Sequence, residues 1–263
     1  MTQTTGKTDT QAFSAMVGDY AGQVQPRIDA LAAMAAAGGL DEAITVMTDA
    51  IEAGGVLHAF GTGHSEAFAM EIAGRAGGLI PTNKIALRDL VLRGNLEVSA
   101  LGGSSLERDP TVADQLWNLS PVQPGDVVLI ASNSGVNGSI VGLALRAKAE
   151  GHTVIAVTSL LHTAQVEPKH ASGQRLRDVA DVVIDNLAPY GDATLSLEGG
   201  VPVGAVSSIT SAFIAQLLTM GVAERISAAG RVPPLYLSAN IPGGDEHNRG
   251  LELAYAGRIS RTT

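Results

Sequence analysis

The sequence predicts an α/β fold with an open, doubly wound sheet of about five parallel strands. Short β-branched runs alternate with helical stretches after the N-terminal region, and most of these runs are apolar throughout. Continuous apolarity is typical of strands that are buried on both faces, as they are in parallel sheets. The alternation indicates βαβ units with right-handed crossovers, and ligands of such folds bind where the strands end.

The chain begins with a predicted helical lead-in. Alanine and methionine recur at helical spacing up to Ala53, and Gly38 and Gly39 separate two helices within this stretch. A second glycine pair follows the second helix at C-cap positions. We therefore divide the chain into a lead-in, residues 1–53, and a main domain, residues 54–263.

The strands and helices of the main domain follow in order. Its predicted strands are residues 56–60, 126–132, 152–159 and 181–186, with a weaker run at 85–91. Helical patterns such as Gly138 to Gly151 lie between them, and Val203 to Gly230 predicts a long buried helix with a hydroxyl-rich first turn. The last segment is polar and rich in Pro and Gly, which predicts a tail lying over a site or a neighbouring subunit.

Composition limits the functions that this chain can perform. With 263 residues, 45% of them hydrophobic, the chain can bury a full core. Only 3% of the residues are aromatic and the net charge is −9, which disfavours nucleic acid as a partner. The absence of cysteine excludes disulfides, thiolate metal sites and a cysteine nucleophile. Without a signal-like or membrane-length apolar run, we expect a cytoplasmic protein with no membrane partner.

Hydroxyl and glycine residues are concentrated where the predicted strands end. They form "GTGHS" (61–65), "SNSGVNGS" (132–139) and "TSLLHT" (158–163), and "SSITS" (207–211) opens the long helix. Each turn alone also fits ordinary turn and N-cap chemistry. Together, small hydroxyls and free backbone N–H groups can surround a tetrahedral oxyanion without lysine. No G-K-[ST] triplet follows a strand, and Glu66 stands where a dinucleotide fingerprint needs its third glycine, so both nucleotide motifs are excluded.

At these residues the sequence resembles the SIS (sugar isomerase) family of phosphosugar-binding domains. The segment from Pro124 to Ser159 carries "SNSGVN", which is similar to the family's Ser-x-Ser-Gly signature, with Asn137 where the family often has threonine. The resemblance covers roughly Ile51 to Arg225, and "GTGHS", "EIAGRAGGL" and "SANIPGGDEHNR" resemble an uncharacterised bacterial subgroup related to phosphoheptose isomerase.

The resemblance implies a flavodoxin-like sheet of five parallel strands, a homodimer or homotetramer, and an anionic sugar held by the serine turns at a subunit interface. It makes the main domain a SIS sugar-binding domain with a C-terminal active-site tail. The family includes aldose–ketose isomerases, a lyase and sugar-phosphate sensors. The candidate substrate-binding residues are Gly61, Gly63, Ser65, Ser132, Asn133, Ser134, Asn137, Thr158, Ser159, Asp192, Ser207 and Ser208. For Asp192 and the serines of the long helix, capping explains the residue equally well.

Aldose–ketose isomerisation needs a base at carbon and a proton-transfer group at oxygen. Glu71 resembles the catalytic glutamate of phosphoheptose isomerases because it opens the matching "EIAGR", although it could instead pair with Arg75 at i,i+4. Glu246 is the competing base, because it precedes His247 and the tail could enter a neighbour's site. His247 is the first candidate at oxygen, and His64 is the second.

We assign no metal and no cofactor, and the predicted function is a metal-independent isomerase of a phosphorylated or sulfonated sugar. Two alternatives remain open at this point. One is a non-catalytic sugar-phosphate sensor, and the other is a sugar-phosphate lyase or etherase that begins with the same proton abstraction.

Overall fold

The structure is a computed structural model that describes residues 5–260, with side chains from residue 11 onward. Five parallel strands form one sheet in the order β2-β1-β3-β4-β5. They are β1 (Leu57–Gly61), β2 (Thr82–Ile85), β3 (Val127–Ala131), β4 (Thr153–Thr158) and β5 (Val182–Asp185). The predicted α/β fold with a five-stranded parallel sheet is confirmed.

Helices cover both faces of this sheet, and a small hairpin follows β5. The helices are α1 (Thr5–Ala36), α2 (Asp41–Glu52), α3 (Glu66–Ile72), α4 (Asp89–Leu92), α5 (Ser105–Arg108), α6 (Val112–Leu119), α7 (Gly138–Ala149), α8 (Leu160–Gln165), α9 (Leu176–Val179), α10 (Ser207–Ala228) and α11 (Gly244–Glu252). The hairpin pairs β6 (Ala193–Ser196) with β7 (Pro202–Ala205). As predicted, a glycine turn separates α1 from α2.

The core has two layers, one on each face of the sheet. Leu129 of β3 packs with α1, α2, α3 and α10 on one face, whereas Val128 and Ile130 pack with α6, α7 and α9 on the other. Both faces of β3 are therefore dry, which explains its uninterrupted apolar sequence. Leu31 of α1 and Met47 of α2 lie in the same core as the strands, and the division of the chain at residue 53 stays a prediction.

Two predicted elements differ from the structure. β2 ends at Ile85 rather than continuing to Val91, because the Asp89 carboxylate accepts the Ala86 N–H at 3.0 Å and the chain turns into α4. The long helix begins at Ser207 rather than Val203, because Val203 lies in β7. The sequence analysis missed the hairpin, whose strands are four residues each.

The C-terminal tail lies at the amino edge of the sheet, where the strands begin. Tyr236 N donates to the carbonyl of Gly78 at 2.9 Å, so the tail pairs with the segment that enters β2. Ser260 N donates to the side chain of Asn83 at 2.7 Å. Within residues 5–260 no single helix is long and apolar enough to cross a membrane, and α1 and α2 pass that test only as a pair bent by 65°.

The buried Asp126 carboxylate holds this edge together through four donors. Val56 N and Gln123 N each donate at 2.8 Å, His58 Nε2 donates at 3.0 Å, and Arg258 Nη2 donates at 2.6 Å. Burial raises the pKa of Asp126, but the hydrogen bonds from His58 and the two backbone amides outweigh burial and leave its pKa below the usual range. One ionised side chain thus joins β1, β3 and the tail.

Replacing Asp126 by asparagine should lower the free energy of unfolding at pH 7 by about 3 kcal/mol, because His58 and Arg258 lose a buried charged partner. The folded pKa of Asp126 lies below its unfolded value, so this stabilisation is present above about pH 4 and is lost as the pH falls through the folded pKa. Urea unfolding between pH 7 and pH 3 measures both effects. The exposed Asp114→Asn is the matched control; an equally stable Asp126→Asn, or a gap unchanged at pH 3, would contradict this account.

Candidate active site at the carboxyl edge of the sheet

The turns after the central strands meet the first turns of α10 at the carboxyl edge of the sheet. β1 and β3 end side by side, with Gly61 paired to Ala131. The Asn186 side chain lies 3.2 Å from Asn133 Oδ1 and 3.5 Å from Ser211 Oγ, and so connects the second turn to α10. The structure thus brings the predicted serine turns to one edge.

The first turn needs glycine for steric reasons. A Cβ on Gly61 would lie 2.2 Å from the carbonyl oxygen of Ser65, and Gly63 has a positive φ of 55°. This tight turn delivers Ser65 to the start of α3, where its side chain is half-buried and has no hydrogen-bond partner among the described residues. His64 beside it is exposed.

The second turn leads from β3 to the amino end of α7. Ser132 Oγ accepts the Gly135 N–H at 3.1 Å and closes the turn. Ser134 is half-buried, and its hydroxyl has no partner in the described part of the chain. Asn137 is the N-cap residue, but its side chain does not cap the helix. The backbone N–H groups of residues 138–140 are therefore left for a ligand or water, as the first turn of a helix requires.

The fold itself uses several of the predicted ligand groups. Thr158 is buried and donates to a backbone carbonyl at 3.4 Å, and Ser159 caps α8 by accepting a backbone N–H at 3.0 Å. Asp192 caps α10, because it accepts from Ser207 N at 2.8 Å and Ser207 Oγ at 2.7 Å. Ser208 is half-buried, and no described residue bonds its hydroxyl. Contact of all these residues with a ligand stays a prediction.

A carboxylate that the sequence analysis missed lies between the two turns. Asn137 Nδ2 donates to Glu107 Oε1, and Ser139 Oγ donates to the Glu107 carbonyl at 2.8 Å. Glu107 Oε2 lies 3.7 Å from the position that a Cβ on Gly63 would occupy. In the sequence, the only signal was an isolated glutamate in a Gly- and Ser-rich crossover between β2 and β3.

Glu71 lies on the side of α3 that packs against α10. Its Oε1 accepts from Gln216 Nε2 at 2.6 Å and from Arg75 Nη1. The i,i+4 pair that was the alternative to catalysis is therefore formed. No described contact links the Glu71 side chain to the serine turns, and its catalytic role stays a prediction.

The tail candidates lie far from the turns of their own chain. His247 Nε2 is 3.0 Å from the carbonyl of Leu235, and Leu235 pairs with Leu79 just before β2, at the amino edge. Glu246 precedes it on α11 and is exposed. Their entry into a neighbour's site stays a prediction. Among the described residues, no group of three His, Asp or Glu side chains is placed to hold a metal ion.

One histidine beside the α10 cap is electrostatically perturbed. His162 stacks on Tyr190 with ring centroids 5.2 Å apart, and its Nδ1 accepts the Gly191 N–H at 2.9 Å. Burial lowers the pKa of His162, and the negative charge of Asp192 partly opposes that effect. The ring therefore acts as a neutral acceptor that orders the chain before β6.

A parallel sheet with serine-rich turns and an open helix amino end at its carboxyl edge defines a phosphosugar-binding class of α/β domain, the SIS domain. The sequence model of the SIS domain family matches residues 19–159, more than half of the described chain. The chain belongs to this family.

More particular relatives are the UPF0309 proteins. The chain is 37% identical to one from Streptomyces coelicolor, over 84% of this chain and 87% of the relative. It is 36% identical to one from Geobacillus kaustophilus, over 84% and 86% of the two chains. The solved structure of E. coli CFT073 c3406 in complex with a sugar phosphate covers 82% of this chain and 93% of its own, with a TM-score of 0.53 and 15% identity, and supports the fold.

Gly61→Ala should lower the free energy of unfolding by about 2 kcal/mol, because the new methyl group overlaps the Ser65 carbonyl. Gly18→Ala is the matched control, since a Cβ at Gly18 meets nothing within 4 Å and alanine favours the helix. Thermal and urea unfolding of both variants provide the comparison. Equal stability of Gly61→Ala and wild type would show that the first turn is looser than described.

Proposed function

We propose that the protein binds a phosphorylated or sulfonated sugar at the carboxyl edge of its sheet and interconverts the aldose and ketose forms through an enediol. One observation carries the proposal. The half-buried hydroxyls of Ser65, Ser134 and Ser208 have no partner among the described residues, and the unpaired N–H groups of α7 share the same edge. Membership of the SIS family and the sugar phosphate bound to c3406 support an anionic sugar.

The anion would sit at the amino end of α7, where backbone N–H groups and the helix dipole favour negative charge. Hydroxyl and amide donors hold such a group without a lysine, so local binding is compatible with a net charge of −9. Phosphate and sulfonate both offer a tetrahedral array of oxygens to these donors.

Isomerisation would begin when a carboxylate removes the proton from C2 of the aldose, and would end when the proton is returned to C1. Glu71 and Glu246 are the sequence-derived candidates for this base, with His247 or His64 at oxygen. Glu246 and His247 reach a serine site only if the tail of a second subunit supplies them.

We also propose a homodimer or homotetramer. An apolar groove of about 510 Å³ lies between α1 and the β6–β7 hairpin. Phe13, Val17 and Val203 line it with 66%, 52% and 38% of their surfaces exposed. Exposed apolar surface of this kind is typical of a subunit interface.

Ser134→Ala should weaken binding of inorganic phosphate by about tenfold, because a hydrogen bond to a charged group contributes about 1.5 kcal/mol or more. Calorimetric titration measures the affinity. Ser227→Ala, at the exposed far end of α10, should bind like wild type. Equal affinity of Ser134→Ala and wild type would remove the second turn from the binding site.

Turnover is tested by offering the protein ribose 5-phosphate, glucose 6-phosphate and 6-deoxy-6-sulfoglucose in D₂O. NMR should show loss of the C2 proton signal of at least one aldose, together with formation of its ketose. Tight binding without exchange would favour the sensor, and release of lactate from N-acetylmuramic acid 6-phosphate would favour the etherase.

A further inference from the structure

We propose that Glu107 is the carboxylate that moves the proton between C1 and C2 of the bound sugar. This inference rests on the proposed function, and it assigns the base to a residue outside the first-turn helix and the tail. Three observations support it: where the carboxylate lies, how it is held, and what its two competitors contact.

Glu107 is the carboxylate that the fold brings to both turns of the candidate site. Its Oε1 is bonded by Asn137 at the amino end of α7, and its Oε2 is directed toward Gly63 in the first turn. A sugar whose anionic group sits at the amino end of α7 would extend its carbons past this side chain. The base and the anion site are then adjacent, as proton transfer from carbon requires.

The backbone around Glu107 is fixed against α7. Ser139 Oγ donates to the Glu107 carbonyl at 2.8 Å. A Cβ on Gly138 would lie 2.2 Å from the Arg108 carbonyl oxygen, so only glycine lets the crossover approach this closely. Lys169 Nζ donates to Asn137 Oδ1 at 3.4 Å, which directs the amide N–H of Asn137 to Glu107. Asn137 is therefore a positioning residue for Glu107 rather than a donor to the anion.

The competing carboxylates have other partners. Glu71 Oε1 accepts from both Arg75 and Gln216 on the α3–α10 side. Glu246 lies on α11, next to His247, at the amino edge. Glu107 Oε2, in contrast, has no hydrogen-bond or ion-pair partner among the described residues and can accept a proton.

The proton and electron balance of the step is closed. The Glu107 carboxylate takes the C2 proton, the C–H electron pair forms the C1–C2 double bond, and the carbonyl pair moves to O1. O1 takes a proton as the O2 hydroxyl loses one, and a carbonyl forms at C2. The Glu107 carboxylic acid then returns its proton to C1, so the enzyme is unchanged.

The test compares Glu107→Gln with Glu97→Gln, an exposed glutamate on the same crossover, and with Glu71→Gln. Two readouts are used: C2 proton exchange with the sugar that wild type turns over, and affinity for inorganic phosphate. We expect Glu107→Gln to lose exchange by at least about 100-fold. It should also bind phosphate about threefold more tightly, because a like charge beside the anion is removed. Glu97→Gln should match wild type in both readouts.

Asn137→Ala should lower the exchange rate without abolishing it and should leave phosphate affinity within about threefold, since it frees Glu107 without removing it. Exchange by Glu107→Gln within threefold of wild type, or unchanged phosphate affinity in a folded Glu107→Gln, would overturn the inference while leaving the proposed function in place. Wild type that binds no phosphate would overturn the proposed function itself. Wild type that binds phosphate but exchanges no sugar would overturn both the isomerase and its base.

Discussion

The close approach of backbone segments at the carboxyl edge of the sheet is the constraint on which the candidate site depends. Gly61 folds back on the Ser65 carbonyl, and Gly138 lies under the Arg108 carbonyl, in each case with no room for a Cβ. These two contacts align the amino ends of α3 and α7 and bring the crossover with Glu107 between them. A methyl group at either glycine would push the turns apart by the distance that separates a binding site from a set of isolated loops.

The opposite edge carries the charge that holds the strands and the tail in place. Asp126 is fully buried and satisfied by four donors, including Arg258 from the tail. Buried charge of this kind is stable only when it is paired and hydrogen-bonded. The two edges of the sheet thus have separate tasks, since one is closed by its own side chains and the other leaves hydroxyl and N–H groups open.

The sequence predicted the elements whose signals are local. Continuous apolar runs marked four strands, and serine-rich turns marked the edge where they end. The end of β2 was wrong because one side-chain cap, from Asp89, redirects the chain. Glu107 was missed because its position depends on a contact between segments that are about 30 residues apart, between Glu107 and Asn137. For the same reason, no local pattern in the tail could reveal that His247 lies at the amino edge.

The central claim is that the open amino end of α7 and the serine turns form one anion site. Titration of isotopically labelled protein with inorganic phosphate, followed through backbone amide chemical shifts, tests it most directly. The account predicts that the largest shifts occur together at Ser65, Ser134 and residues 138–140, and saturate with one affinity. Shifts confined to other surfaces, or none at these amides at saturating phosphate, would contradict it.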